Sequence, residues 1–302
     1  MAGAMSEMRV ANDLLADPVR LRARFGQDGY LLFRDVLAAD AVRGVGEELV
    51  RILASQGLVS GGGPVPTWIG GELTESGERG LQELFNEQAL WEGLVAAPAV
   101  AGFFAQVAGG PVGFIPLARY RVMPPGGATQ VHQDALLNPG FAMTTAWIPL
   151  MGIDEELGGL AVAVGSHRWG CMAPESLPPL AGLWRSVAYG VGDVVLMHEA
   201  LVHTGLANRS GSGLRLSVDV RYQDPSAPAA VVGPIVAAEA GSVRIAAADG
   251  SVVELAVDDS TLLRASTGAR VARSEVAASE LVAGRRVIAS RRGGVAVMVK
   301  PL

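Results

Sequence analysis

The chain has 302 residues, of which 50% are hydrophobic and 18% charged, a globular composition with enough apolar side chains to fill a sizeable core. Its 24 basic and 30 acidic residues leave a net charge of -6, and no Lys/Arg run breaks that balance, so nucleic acid is not an expected partner. A single cysteine, Cys171, excludes an intrachain disulfide and a thiolate cluster within one chain, and suits a reducing compartment.

The opening MAGAMSEMRV lacks the apolar core of a secretory signal, and no stretch reaches the roughly 20 apolar residues of a membrane span. A soluble, cytoplasmic protein without a membrane partner is expected. The first 110 or so residues read as helix-rich. A helix capped by Asp17, with Pro18 in its first turn, is predicted to end at Gly26. GYLLFRDVL then reads as a strand. Asp40 is placed to cap a helix in which Val42, Val45, Leu49, Ile52 and Leu53 repeat at helical spacing. A Gly/Pro-rich loop from Ser60 suits a lid, and Leu90 to Val107 reads as one further apolar helix.

From about Phe114 the period changes to short strands between turns: FIPLARYRVM, TQVHQD, TTAWIPLMGI, GLAVAVG, GDVVLMH, LVHTGLAN and LRLSVDVRYQ. Such a series indicates an antiparallel sandwich or barrel. PSAPAAVVGP, at 225–232 and just beyond, reads as a linker. The alternating segments of 233–302 describe a small all-β module of their own, resembling a barrel.

The chemistry concentrates in VHQDA. If that segment is a strand, His132 and Asp134, two apart, point the same way. Two histidines and one carboxylate on one face of an octahedron leave three positions open, the arrangement of non-heme Fe(II) oxygenases. Of the three other histidines, His203 is the best third ligand. His198, five residues earlier, is a weaker competitor, and His167 reads as a turn residue. Arg215 follows His203 by 12 residues, in a strand whose one face carries Leu214, Leu216, Val218 and Val220. The other face carries Arg215, Ser217, Asp219 and Arg221. Arg215 and Ser217 could together give a carboxylate a bidentate cation and a hydroxyl.

These motifs, in this order, resemble the phytanoyl-CoA dioxygenase family of Fe(II)/2-oxoglutarate enzymes over roughly residues 20–224. FGQDGYLLFRDVL is similar to its opening, RVMPPGGATQVHQD to its Pro-rich turn and HxD, and TAWIPLMGIDEELGGLAVAVGSHRWG to its Trp strand and Gly-Ser-His close. GDVVLMHEALVHTGLANRSGSGLRLSVDVRYQ is similar to its distal-His and Arg region. The resemblance implies a mainly β fold with flanking helices, a double-stranded β-helix (jelly-roll, cupin-like) core in 1–224. It implies iron ligands at His132, Asp134 and His203, with Arg215 on the far carboxylate of 2-oxoglutarate. Trp147 and Gln133 are implied beside the cosubstrate, and Gln130 is a further polar contact.

The chain also departs from the family. Gly205 stands where some members have a cosubstrate-contacting Ser, Gly158-Gly159 where Asn-Gly is usual, and Val164 where Pro precedes Gly-Ser-His. The intact HxD favours hydroxylation of an unactivated C–H bond, with O2 as oxidant, over halogenation; desaturation or ring formation with the same cofactors is the nearest rival. A cupin-like metal enzyme without 2-oxoglutarate and a metal-binding β-sandwich module are more distant ones. Loops around 60–80, 135–143 and 171–190 carry few charges and no basic cradle for a CoA phosphate, which points to a small, largely apolar metabolite of secondary metabolism. The C-terminal module could pack on the main domain, mediate homo-oligomerisation or cover a pocket, and the sequence does not choose among these.

Overall fold

The computed structural model describes residues 5–60, 63–70, 88–226, 228–239, 241–264 and 281–302. Two compact units divide the chain: Met1–Leu136 with Thr144–Tyr222, and Leu137–Met143 with Gln223–Leu302. Part of the expected lid, including 71–80, lies outside the described residues.

The first unit is built on two main sheets, with a short pair, β3 (Val59–Ser60) and β4 (Thr67–Trp68), besides. β1 (Ser6–Glu7), β8 (Trp184–Ser186), β7 (Leu160–Ala163) and β10 (His203–Gly205) form one, in that order. β2 (Tyr30–Phe33), β9 (Val194–His198), β6 (Thr144–Pro149), β11 (Arg215–Gln223) and β5 (Gly113–Met123) form the other. Spatial neighbours are distant in sequence, as a jelly roll requires. β11 is almost wholly buried: Leu214, Leu216, Val218 and Val220 join the apolar core, while the intervening polar residues face the other way. Its register sets Ser217 opposite Pro149, Asp219 opposite Trp147 and Arg221 opposite Thr145.

Helices cover the start of this unit. α1 (Pro18–Asp28) begins at Asp17, whose carboxylate accepts the Arg20 N–H at 3.0 Å. It runs past Gly26 and closes at Gly29, which takes a left-handed φ of 80° and donates to Phe25 O. Gly26 has no such conformation and so does not stop the helix. α2 (Ala39–Ser55) buries Val42, Val45, Leu49 and Leu53. Asp40 lies inside its first turn, favourable to the helix dipole, and does not cap it.

The single helix expected over Leu90 to Val107 is two, Gln88–Ala96 and Pro98–Ala108, bent by 70°. Pro98 lacks the N–H that would continue the first helix and starts the second. No single helix among the described residues is long and apolar enough to cross a membrane.

The second unit is a six-stranded sheet. β12 (Ala230–Glu239), β13 (Ser242–Ala246), β14 (Val252–Ala256), β15 (Leu262–Leu263), β16 (Arg286–Arg292) and β17 (Val295–Pro301) run in the order β14-β13-β12-β16-β17-β15. An added β14–β17 pairing makes it barrel-like, around Val231, Ile235, Val243, Ile245, Val287 and Val299. β12 begins inside the stretch read as linker, because Ala230, Val231 and Val232 already pair with Ser290, Ala289 and Ile288. Within this unit Ser290 Oγ donates to Pro139 O at 2.6 Å, and Arg264 Nη2 donates to Leu137 O at 2.9 Å.

The Gly158-Gly159 turn has a steric reason. Gly158 has φ +70°, and a Cβ there would lie 2.3 Å from Ala207 O; one at Gly159 would lie 2.5 Å from the Tyr189 ring. Gly158→Ala is therefore expected to destabilise the protein by about 2 kcal/mol or more, lowering Tm by roughly 5 °C, as read by thermal denaturation.

Candidate functional site

His132 and His203 face each other across the chain. Each backbone N–H donates to the other's carbonyl at 3.0 Å, and their rings lie 4.2 Å apart. The HxD segment is not the regular strand expected from its spacing. His132 makes this isolated bridge, and Asp134 starts the short helix Asp134–Leu137. The two side chains still converge, because the helical turn brings Asp134 back beside the imidazoles. Asp134 Oδ1 lies 3.8 Å from His132 Nε2 and 3.9 Å from His203 Nε2. Ligand atoms from all three residues lie within 4.8 Å of one another.

Both rings are held in the tautomer a metal requires. His132 Nδ1 lies 2.8 Å from Gln130 O and His203 Nδ1 2.9 Å from Leu201 O. A carbonyl can only accept, so Nδ1 carries the proton and Nε2 presents its lone pair to the cluster. His132 Nε2 is buried with no hydrogen-bond partner. Burial, with repulsion from His203, pushes the His132 pKa down to about 4, which keeps this ring neutral at neutral pH. Burial alone would raise the Asp134 pKa; Arg221, His203, the Thr145 hydroxyl and His132 outweigh it and hold the carboxyl well below the usual carboxylate range.

A pocket opens beside the cluster between the two sheets. His132, His203 and Gly205 line it together with Trp147, Arg121 and Arg215. Arg215 is 1% exposed, and no carboxylate pairs with it among the described residues. Its Nη1 donates to Gly158 O and to Leu206 O, while Nε has no partner. Burial, with Arg121 nearby, pushes its pKa down to about 10, still cationic at neutral pH. Ser217 Oγ, also buried and without a partner, projects from the same face of β11. The orphaned buried atoms His132 Nε2, Arg215 Nε and Ser217 Oγ fit a metal ion and an anionic group respectively.

Neither glutamine expected beside the cosubstrate lines the pocket. Gln133 is fully buried, and its amide donates to Gly170 O and Ala200 O while accepting from Met172 N. It therefore pins two loops behind the cluster, with both amide protons already donated. Gln130 exposes its side chain and serves through its carbonyl instead. The rings of His198 and His167 lie 5.1 Å apart, tilted, outside the cluster, and His198 Nδ1 accepts from Ala200 N. Arg121 lines the pocket and pairs with Asp219 at 2.8 Å.

Three residues that the sequence reading did not single out for the site also enter it. Thr145 Oγ1 donates to Asp134 Oδ2 at 2.6 Å, and Arg221 Nη2 lies 3.2 Å from the same oxygen. Thr129 Oγ1 accepts the Gly205 N–H and lines the pocket. The one available signal was β11 itself: charges on a buried strand face need buried partners.

The family described as phytanoyl-CoA dioxygenase matches residues 25–216. A 1-deoxypentalenic acid 11-beta-hydroxylase of Streptomyces arenae is 28% identical over 254 residues, 75% of this chain and 88% of that protein. Its counterpart from Streptomyces exfoliatus is 26% identical over the same shares. Among solved structures, EctD from S. alaskensis with 2-oxoglutarate and 5-hydroxyectoine aligns with a TM-score of 0.53 at 21% identity, over 73% of this chain and 80% of that one. That likeness supports the fold.

Divalent metal at about 100 times its Kd is expected to stabilise the protein by about 2.7 kcal/mol. The gain, read as a metal-dependent rise in Tm, should vanish in His132→Ala and in His203→Ala.

Proposed function

The chain belongs to the phytanoyl-CoA dioxygenase family, and on that premise we propose that it hydroxylates an unactivated C–H bond of a small, largely apolar metabolite of secondary metabolism. The enzyme is a 2-oxoglutarate-dependent non-heme iron oxygenase, and bound iron supplies the O2 chemistry that splits 2-oxoglutarate to succinate and CO2 and oxidises the substrate. In this reading His132, Asp134 and His203 hold the iron. Arg215 holds the far carboxylate of 2-oxoglutarate, with Ser217 on the same strand face and Trp147 beside it.

The observation that carries the reading is Arg215. A guanidinium buried without a carboxylate is costly, and this one lines the same pocket as the two imidazoles. An anionic cosubstrate resolves the imbalance. Gly205 also becomes intelligible: a Cβ there would sit 2.9 Å from Arg215 Nη2 and 3.0 Å from Thr129 Oγ1. The Thr129 hydroxyl occupies the room a serine at 205 would need. With the Gly205 N–H already on its oxygen, it has a proton left to donate to the same carboxylate. The intact Asp134 speaks against halogenation, and similarity to the two Streptomyces hydroxylases supports hydroxylation over desaturation or ring closure.

Anaerobic addition of Fe(II) and 2-oxoglutarate should give a weak visible charge-transfer band, lost in His132→Ala; its absence in metal-loaded wild-type protein would sink the cosubstrate claim. Arg215→Gln should raise the 2-oxoglutarate Kd by roughly 10- to 100-fold. Thr129→Val should raise it by about tenfold and Thr129→Ser should leave it near wild type. Succinate release across candidate metabolites identifies the substrate, and a product that gains one oxygen atom distinguishes hydroxylation from loss of two hydrogens.

A further inference from the structure

We propose that Thr145 and Arg221 are positioning residues that hold Asp134 to a one-oxygen grip on the metal, keeping the remaining coordination positions open for cosubstrate and O2. The inference rests on the iron-site reading above and concerns how that site is kept incomplete.

The two oxygens of Asp134 have different surroundings. Oδ1 faces both imidazoles, at 3.8 and 3.9 Å from their Nε2 atoms. Oδ2 accepts the Thr145 hydroxyl at 2.6 Å and receives Arg221 Nη2 at 3.2 Å, with the same nitrogen 3.3 Å from Oδ1. A carboxylate on a short side chain can turn about its last bond and offer a metal either one oxygen or two. Here the second oxygen is held by a short charge-assisted hydrogen bond and by a cation.

Neither holder is free to follow the carboxylate. Thr145 and Arg221 are direct cross-strand partners on β6 and β11, and both are buried. Arg221 Nη1 donates to Leu117 O on β5, and its Nη2 lies 3.8 Å from Asp219. Asp219 in turn is fixed by Arg121 on β5, through Nε at 2.9 Å and Nη2 at 2.8 Å. The result is an alternating run of charges, Arg121, Asp219, Arg221 and Asp134, anchored on two strands and ending on the ligand. Its last member can be shifted only by disturbing the strands. Orientation of a metal ligand by such outer partners commonly changes metal affinity or activity by about 10- to 100-fold.

The test uses the full chain loaded with Co(II), whose visible spectrum reports coordination number and geometry, and measures 2-oxoglutarate binding by calorimetry without turnover. Thr145→Val should keep one Co(II) per chain, change the intensity of the visible bands, and raise the 2-oxoglutarate Kd by about tenfold or more. Thr145→Ser, which restores the hydroxyl, should return both readouts to within about threefold of wild type. Arg221→Lys, which keeps the charge with a shorter reach, should give an intermediate rise.

The proposal is overturned if Thr145→Val and Arg221→Lys both bind 2-oxoglutarate within about twofold of wild type with unchanged Co(II) spectra. It is equally overturned if Thr145→Val keeps a native circular dichroism spectrum but loses Co(II), because the hydroxyl would then hold the ligand itself and not its mode of binding. Wild-type protein that binds no Co(II) would instead overturn the iron-site reading, a result visible before any variant is made.

Discussion

The carboxylate of Asp134 is an ion removed from water, 1% exposed, and much of the first unit is arranged to keep it charged. An isolated carboxylate in such surroundings would take up a proton. Here a hydroxyl, a guanidinium and two imidazole edges converge on it, from a cross-strand pair on one sheet, a strand of the other sheet, and the bridge segment beside it. Each of those partners is itself tied to backbone or to another charge. The sheets are thereby committed to one register: sliding β11 by one residue against β6 would turn Arg221 into the core and leave Asp134 without its cation.

The same strand face solves a second problem with the opposite sign. Arg215 lies six residues before Arg221 on β11, yet the two guanidiniums have different surroundings. Arg221 sits between Asp134 and Asp219, and those two charges overcome the effect of burial and raise its pKa. Arg215 has carbonyls in place of carboxylates, so its pKa falls. One end of the face is electrically complete and the other asks for an anion. A single polar stripe can therefore carry both a fixed scaffold for Asp134 and, in the proposed reading, a receptive site for an anionic cosubstrate.

Much of this was legible in the sequence because it depends on periodicity. The alternation in LRLSVDVRYQ placed Arg215, Ser217, Asp219 and Arg221 on one face, and the order of HxD, distal His and Arg pointed to the cluster. What stayed hidden depends on partners brought together from afar. Nothing near Thr145 signals that its hydroxyl reaches Asp134, because the two meet only through the return of the chain after the short helix. Gln133 sits inside the ligand motif, yet its neighbours in sequence say nothing of Gly170, Met172 and Ala200, the groups that consume its amide. The strand assigned to VHQD failed for a local reason. A two-residue spacing suits a strand, but here it also suits a bridge residue followed by the first residue of a helix. The break at Pro98 was written in the sequence, and apolar continuity on both sides of it masked the signal.

Both candidate imidazoles are oriented by a carbonyl two residues earlier in their own segment, Gln130 for His132 and Leu201 for His203. The protein thus fixes the ring tautomers by short-range geometry before any ion arrives. His132 is already neutral and Asp134 already ionised at neutral pH, so neither must shed a proton to become a ligand. Metal uptake by these two groups is then almost neutral in its proton balance, and the free energy of coordination is not spent on deprotonation.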